Sequence, residues 1–461
     1  MSDEYDRMRA ESARLLDLAE DLMTRARDRG ADVAEVRARS GSELSVRVRL
    51  GEPELVEEAS HRSVGMRVIK GGRVALTSTS DLTVKGLERF VTDALELVEI
   101  AQEDEFAGPA DPALIHHGDL PDLDLFDPAC GGVDAAAAIE IARKGEKAAR
   151  DADPRITNSE GGSFSRTSGC SALVLSGGFK GSVIGSYASL SVVPLAEDEG
   201  GKKRRGHHWA AKRYLADLDD PVEVGKEAAR RTLRKLGAKK VPTTEAPVIF
   251  DPDAARSILG TFAGCAMGGS IWRKSSYLLG REGTRVASEL VDIVDDPLIP
   301  RAPGSRAFDG EGLLSRRNVL VEAGTLKTYL CDSYSARKLG RASTASAARG
   351  AGGGVGASTT NLILKATSTK AADIVKGTKR GLYVTDMMGF GFNAVTGDFS
   401  RGASGFWIED GEFAHPVSEV TISLNLDELL KRIDAVGDDL DLRSSTASPT
   451  FRVSEMTIAG S

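Results

Sequence analysis

The stretch that decides the fold runs from Ala246 to Leu279, APVIFDPDAARSILGTFAGCAMGGSIWRKSSYLL. Its first five residues, Ala246 to Phe250, predict a strand. Asp251 is a helix N-cap residue, and Pro252 suits the first helical position, where its missing N–H costs nothing. Ala255, Ile258, Leu259, Phe262 and Ala263 recur at helical spacing, which predicts a helix to about Cys265. Gly268-Gly269-Ser270 ends it, and the basic pair Arg273-Lys274 follows. Gly260, Gly264 and Ala266 leave this helix a thin face that another backbone could approach closely.

Downstream, Val319–Val321 and Leu326–Leu330 flank Glu322-Ala323-Gly324, a hairpin signal. A short helix is expected over Ser333–Leu339, stopped by Gly340, and a helical turn over Ala371–Lys376. Strands are expected at Asn361–Leu364, Leu382–Thr385, Gly405–Ile408, Val417–Leu424 and Phe451–Ile458, with a helix over Leu426–Ala435. Gly397, Arg401, Gly402 and Gly405 read as a loop. This strand-rich unit, residues 241–461, implies a curved or barrel-like sheet.

Upstream lie two further units. In residues 1–110, a helix over 11–29 carries Leu15, Leu18, Leu22 and Ala26 on one stripe. Period-two alternation follows at Leu44, Val46, Val48 and Leu50, and again at Val64, Met66 and Val68. Ser80 is the expected cap of a closing helix. Helix, antiparallel meander and helix make an α+β unit. The acidic segment Glu103–Pro128 reads as a solvated linker. Residues 111–240 hold an alanine-rich helix from Asp134, short Ser/Gly-dense strands from Ile156 to Val193, a charged loop at Glu197–Arg205 and a helix from Pro221 to Leu236. The expected class is therefore α+β in three domains, 1–110, 111–240 and 241–461.

Composition narrows the function. The 461 residues are 41% hydrophobic and 28% charged, as in an ordinary folded protein, and the net charge of -8 shows no basic excess for nucleic acid. No apolar run approaches the roughly 20 residues that span a bilayer. The polar start MSDEYDRMRAE has no signal-peptide core, so a cytoplasmic location is expected. Cys130, Cys170, Cys265 and Cys331 lie far apart, as reduced thiols do.

Chemistry-bearing motifs are sparse. His61, His116, His117, His207, His208 and His415 show neither HExxH nor i, i+4 spacing, and His207-His208 reads as solvated loop beside a basic run. Gly352, Gly354 and Ala357 spell G-x-G-x-x-A but lead into a strand, whereas a dinucleotide fingerprint opens a helix. Ser335-Ala336-Arg337-Lys338 matches S-x-x-K without its usual S-D-N and K-T-G companions. Tyr334, Arg337, Phe399, Arg401, Phe406 and Trp407 are the aromatic and arginine types that anchor interfaces. Tyr334, Arg337, Arg401 and Phe406 are the candidate partner- or peptide-binding residues.

The Ala246–Leu279 stretch resembles the TldD/PmbA family, in its PmbA (TldE) branch. Further matching pieces are Gly51-Glu52, Thr79-Ser80-Asp81-Leu82, Glu103-Asp104-Glu105, Ser333-Tyr334-Ser335-Ala336-Arg337-Lys338 and Gly397-Asp398-Phe399-Ser400-Arg401-Gly402-Ala403-Ser404-Gly405, so the resemblance covers nearly the whole chain. In the TldD branch this helix carries a His-Glu-x-x-x-His metal motif. Here Gly260, Thr261 and Cys265 stand at those positions, and no cysteine follows Cys331 to complete the family's site. The resemblance implies no catalytic residue and no metal in this chain, with zinc and general base in a TldD-like partner. It also implies a peptide substrate held in extended form. The expected protein is the non-catalytic subunit of a heterodimeric peptidase. A non-proteolytic regulator, as in the family's older gyrase-modulator label, is the alternative. Alone, the chain could self-associate as a homodimer.

Overall fold

The computed structural model describes residues 2–460. The chain opens with α1 (Ser2–Asp28), β1 (Val33–Arg49), β2 (Glu52–Lys70), β3 (Arg73–Thr79) and α2 (Val84–Ile100). Leu15, Leu22 and Ala26 of α1 are buried against the strands, as their spacing requires. Thr83, not Ser80, caps α2 by accepting from Gly86 N, because Asp81 Oδ1 holds Thr83 N and Oγ1 in a turn that delays the helix.

The next segment contains α3 (Pro128–Gly131), α4 (Ala135–Asp151), β4 (Ile156–Leu175), β5 (Lys180–Glu197), β6 (Lys203–Arg205), β7 (His208–Lys212) and α5 (Pro221–Leu233). The short strands expected here are two long ones, β4 and β5, paired antiparallel over most of their length. Their serines and glycines occupy a polar face while Phe164, Ala188, Leu190 and Val192 bury the other. The expected Glu197–Arg205 loop folds back, with Leu195 opposite Arg205 and Arg204 Nε donating to Asp198 Oδ2 at 2.6 Å. All seven strands so far form one sheet, in the order β3-β2-β1-β4-β5-β6 with β7 also on β5. The sheet runs unbroken from the strands before residue 110 into those after it.

The remainder holds β8 (Thr244–Phe250), α6 (Pro252–Cys265), α7 (Gly268–Trp272), β9 (Ile293–Asp295), β10 (Asn318–Glu322), β11 (Thr325–Leu326), α8 (Ser333–Lys338), β12 (Ala347–Arg349) and β13 (Val355–Ala357). It ends with β14 (Leu362–Leu364), α9 (Ala371–Lys376), β15 (Arg380–Met388), β16 (Asp398–Glu409), β17 (Glu412–Asn425), α10 (Leu426–Lys431), β18 (Ile433–Val436), β19 (Thr446–Ala447) and β20 (Phe451–Ala459). The strand order β17-β16-β15-β8-β20 is closed by a β17–β20 pairing, which makes a five-strand barrel with β18 attached to β20. β9, β10, β11, β14 and β19 form a second sheet.

The barrel-like expectation holds, and the class is α+β. Two local readings change. Arg401 lies inside β16 rather than in a loop: Gly405 is there because a Cβ would collide with Tyr383 O across a β-bulge. The last helix stops at Lys431 because Ile433–Val436 pairs with β20.

Candidate functional site

The site begins at the start of α6. Asp251 caps the helix, its Oδ1 accepting from Ala254 N at 2.8 Å, and burial pushes its carboxyl up to about 7. Ala255, Ile258, Leu259, Phe262 and Ala263 turn inward and are buried, as read from their spacing. Gly260 and Gly264 face outward, and a Cβ added at either would meet nothing within 4 Å. The thin face is therefore bare at Gly260 and Gly264, whereas Ala266, also expected on it, is buried in the core just past the helix end, its N–H donating to Phe262 O and Ala263 O.

The three motif positions do not make a metal-binding set. Gly260 has no side chain. Thr261 Oγ1 donates to Ser257 O at 2.9 Å. Cys265 is buried at 2% exposure, and burial pushes its thiol up to about 11, which disfavours the thiolate that ligates a metal. A catalytic zinc requires about three protein ligands and an open position. Among the described residues, no three His, Cys, Asp or Glu side chains are grouped so as to hold a metal ion.

Arg401 reaches this face from β16. Its Nη1 donates to Ser257 Oγ at 2.9 Å, and its buried Nε has no partner. The bare face thus carries a guanidinium with donor capacity to spare. Beyond the end of β15, Phe390 is fully exposed on a glycine-flanked loop, with Met388 and Val395 exposed beside it. This apolar tip is absent from the sequence candidates; the signal was Met387-Met388-Gly389-Phe390-Gly391-Phe392, in which Met387 and Phe392 pack against the core while Met388 and Phe390 between them stay exposed.

The other candidates serve other contacts. Arg337 clamps the segment after α2, donating to Phe106 O at 2.8 Å, Gly108 O at 3.0 Å and Pro109 O at 2.8 Å. Tyr334 Oη donates to Asp104 Oδ2 at 2.7 Å and its ring meets Trp272 edge-on at 5.8 Å. The expected solvated linker is thus docked at this end, and the Tyr334 bond holds Asp104 below the usual carboxylate range. Phe406 is buried beneath the Arg234 guanidinium, 4.7 Å from it, and beside Phe413. Tyr334, Arg337 and Phe406 do not converge with Arg401.

The S-x-x-K residues point apart. Ser335 is 1% exposed, and its hydroxyl donates to the Asp332 carboxylate. Lys338 Nζ sits 3.9 Å over the Phe106 ring and 3.7 Å from Asp104. No Ser–Lys dyad forms. His208 lies in β7 and not in a solvated loop: burial, then Arg231 and Arg443, push its imidazole down to about 4, so it is neutral at pH 7.

Profiles described as PmbA/TldA metallopeptidase domain 1, central domain and C-terminal domain match residues 34–98, 129–236 and 243–460. The chain belongs to the PmbA/TldD metallopeptidase family. It is 38% identical to Metalloprotease PmbA of Escherichia coli O157:H7 over 93% of both chains, which supports the PmbA/TldE branch. A crystal structure of a putative modulator of DNA gyrase from Bacteroides thetaiotaomicron is similar at TM-score 0.90 and 29% identity, covering 96% of this chain and 98% of that one. TldE from Thermococcus kodakarensis shares the fold at TM-score 0.85 and 22% identity over 96% and 99% of the two chains. No described helix is long and apolar enough to cross a membrane.

Proposed function

We infer that this chain is the non-catalytic TldE/PmbA-type subunit of a cytoplasmic TldD–TldE heterodimer, a zinc-type metallopeptidase acting on small or unfolded peptides. The observation that carries this reading is α6: a capped, well-packed helix whose outward face offers glycine where the resemblance places an imidazole. The TldD-like partner supplies the zinc and the general base. This chain contributes the matching half of the dimer and a wall of the peptide chamber, where Arg401 and the bare helix face leave room for an extended backbone. Strand addition is the mode of peptide binding that suits a sheet-rich wall. The net charge and composition favour neither nucleic acid nor membrane as partner.

Purified alone, the chain binds no stoichiometric zinc and cleaves no peptide; activity appears on adding the TldD-like subunit and disappears with a chelator. Peptide cleavage by the lone chain overturns this assignment. A second reading, a non-proteolytic regulator or scaffold, is favoured by the gyrase-modulator description of the Bacteroides protein. It requires a phenotype that persists when the partner's metal ligands are removed.

A further inference from the structure

The sheet shared by the first two segments has two unlike faces. Successive side chains of a strand alternate between faces. In β1, Val36, Ala38 and Leu44 are buried in the two cores beneath the helices. Arg37, Arg39 and Glu43 therefore occupy the opposite face, which turns toward the C-terminal domain. Across it, Gly41 stands opposite Gly169, and Gly169 opposite Gly185. A Cβ at Gly169 would lie 2.6 Å from Ser40 O, so only glycine lets β1 and β4 pass this closely.

A cavity of about 550 Å³ lies on this face, within the size range of small-ligand pockets. Arg37, Arg39 and Arg213 line it, with the hydroxyls of Thr167 and Ser171. Glu43 is the one acidic residue in the lining, and it forms no ion pair with the arginines among the described residues.

The three arginines are held differently. Arg213 donates to Ser186 O at 3.2 Å, Ala302 O at 3.2 Å and Pro303 O at 2.9 Å, which fixes it across the gap between the domains. Arg37 donates to Arg349 O. Burial, then Arg39 and Arg349, push Arg37 down to about 10, the mark of positive charge without a counter-anion. Arg39 makes no hydrogen bond or ion pair among the described residues, so its donors are free. Clustered like charges in a partly desolvated space repel one another unless an anion joins them. A guanidinium fork matches an oxyanion in two parallel hydrogen bonds.

We propose that this cavity on the sheet face is a binding site for oxyanions, either peptide carboxylates or phosphate, with Arg39 as the hydrogen-bonding fork and Arg37 and Arg213 supplying fixed positive charge. The site needs neither a partner subunit nor a metal, so it stands independently of the peptidase reading.

The test is isothermal titration calorimetry on the full chain at low salt. Tri-glutamate, inorganic phosphate and N-acetylated, C-amidated tri-glutamine, which carries no carboxylate, are titrated in separate arms. Saturable binding of tri-glutamate identifies peptide carboxylates as the ligand source, and saturable binding of phosphate alone identifies the free ion. Tri-glutamine binds neither way. Arg39→Gln raises the Kd of the bound anion at least about ten-fold, the loss expected for a charge-assisted hydrogen bond. Arg39→Lys, which keeps the charge and removes the fork, falls between. Neither variant melts below the parent, because Arg39 has no partner to lose and Arg39→Gln relieves its repulsion of Arg37. The proposal is overturned if neither anion binds more tightly than tri-glutamine, or if Arg39→Gln leaves the Kd unchanged.

Discussion

Replacing Glu35 with glutamine should destabilise the junction between the sheet and the C-terminal domain more than any surface change. Glu35 is 2% exposed, and its Oε2 accepts from Arg349 Nη2 at 2.6 Å and Arg67 Nη1 at 3.0 Å. Arg349 also donates to Gly310 O at 2.8 Å and Gly353 O at 3.1 Å, and Arg67 to Gly108 O at 3.1 Å. One carboxylate thus joins β1 and β2 to the β12–β13 hairpin and to the segment after α2. Burial alone would raise the Glu35 pKa, but Arg349 and Arg67 more than offset it and hold the carboxyl below its ordinary value. In Glu35→Gln the two arginines stay buried without an anion, with Arg37 nearby. Removing one member of a buried pair costs about 3–5 kcal/mol. Urea unfolding at pH 7 measures this directly, and limited proteolysis near Gly350–Gly354 reports whether the hairpin detaches first. A double-mutant cycle with Arg349→Met should be strongly non-additive, the double variant costing less than the sum of the singles. Because the folded pKa of Glu35 is depressed, its stabilisation is present above its unfolded pKa and fades as pH falls below that. A loss under about 0.5 kcal/mol, the scale of an ordinary surface substitution, or additive singles, would refute the reasoning.

Two further outcomes follow from buried groups. Burial, and then Asp309, push the Glu311 carboxyl up to about 7 while it accepts from Ser333 N at 2.8 Å. A raised folded pKa favours the protonated form, so wild-type stability from this group is present at acid pH and is lost as pH rises toward 7; Glu311→Gln should flatten that slope by up to about 3 kcal/mol, read from melting curves between pH 4 and pH 7. Arg337→Ala releases three backbone carbonyls of residues 106–109. It should lower stability by about 2–4 kcal/mol and open that segment to protease, while Lys338→Ala, which removes ring contacts to Phe106, Trp272 and Tyr334 and one long ion pair but no backbone hydrogen bond, lowers it less.

What the sequence made legible was where caps and periodicity agreed. Asp251-Pro252 before a helical apolar stripe placed α6 correctly to its last residue, and the helix expected from Asp134 is capped by it; the helix expected over Pro221–Leu236 starts at Pro221 but ends at Leu233. The long strands β4 and β5 were hidden because 14 of their 38 residues are serines and glycines, which resemble loop composition until a paired strand covers one face. The same composition disguised the part of β16 before Gly405, the residue that marks close backbone approach. Arg401 could be singled out by type, but its bond to Ser257 spans the barrel wall and leaves no local signature. The roles of Tyr334 and Arg337 depend on residues 104–109, more than two hundred positions away, a pairing that no spacing rule encodes.

The barrel seam has a consequence for how the chain is made. β8 pairs with β20, strands separated by nearly half the sequence, and β20 also meets β17. Until residues 451–459 leave the ribosome, β8 and β17 each present an unpaired edge, and nascent C-terminal domain is exposed to mispairing. Closure of that half therefore waits for β20, and removing that strand removes the closure itself.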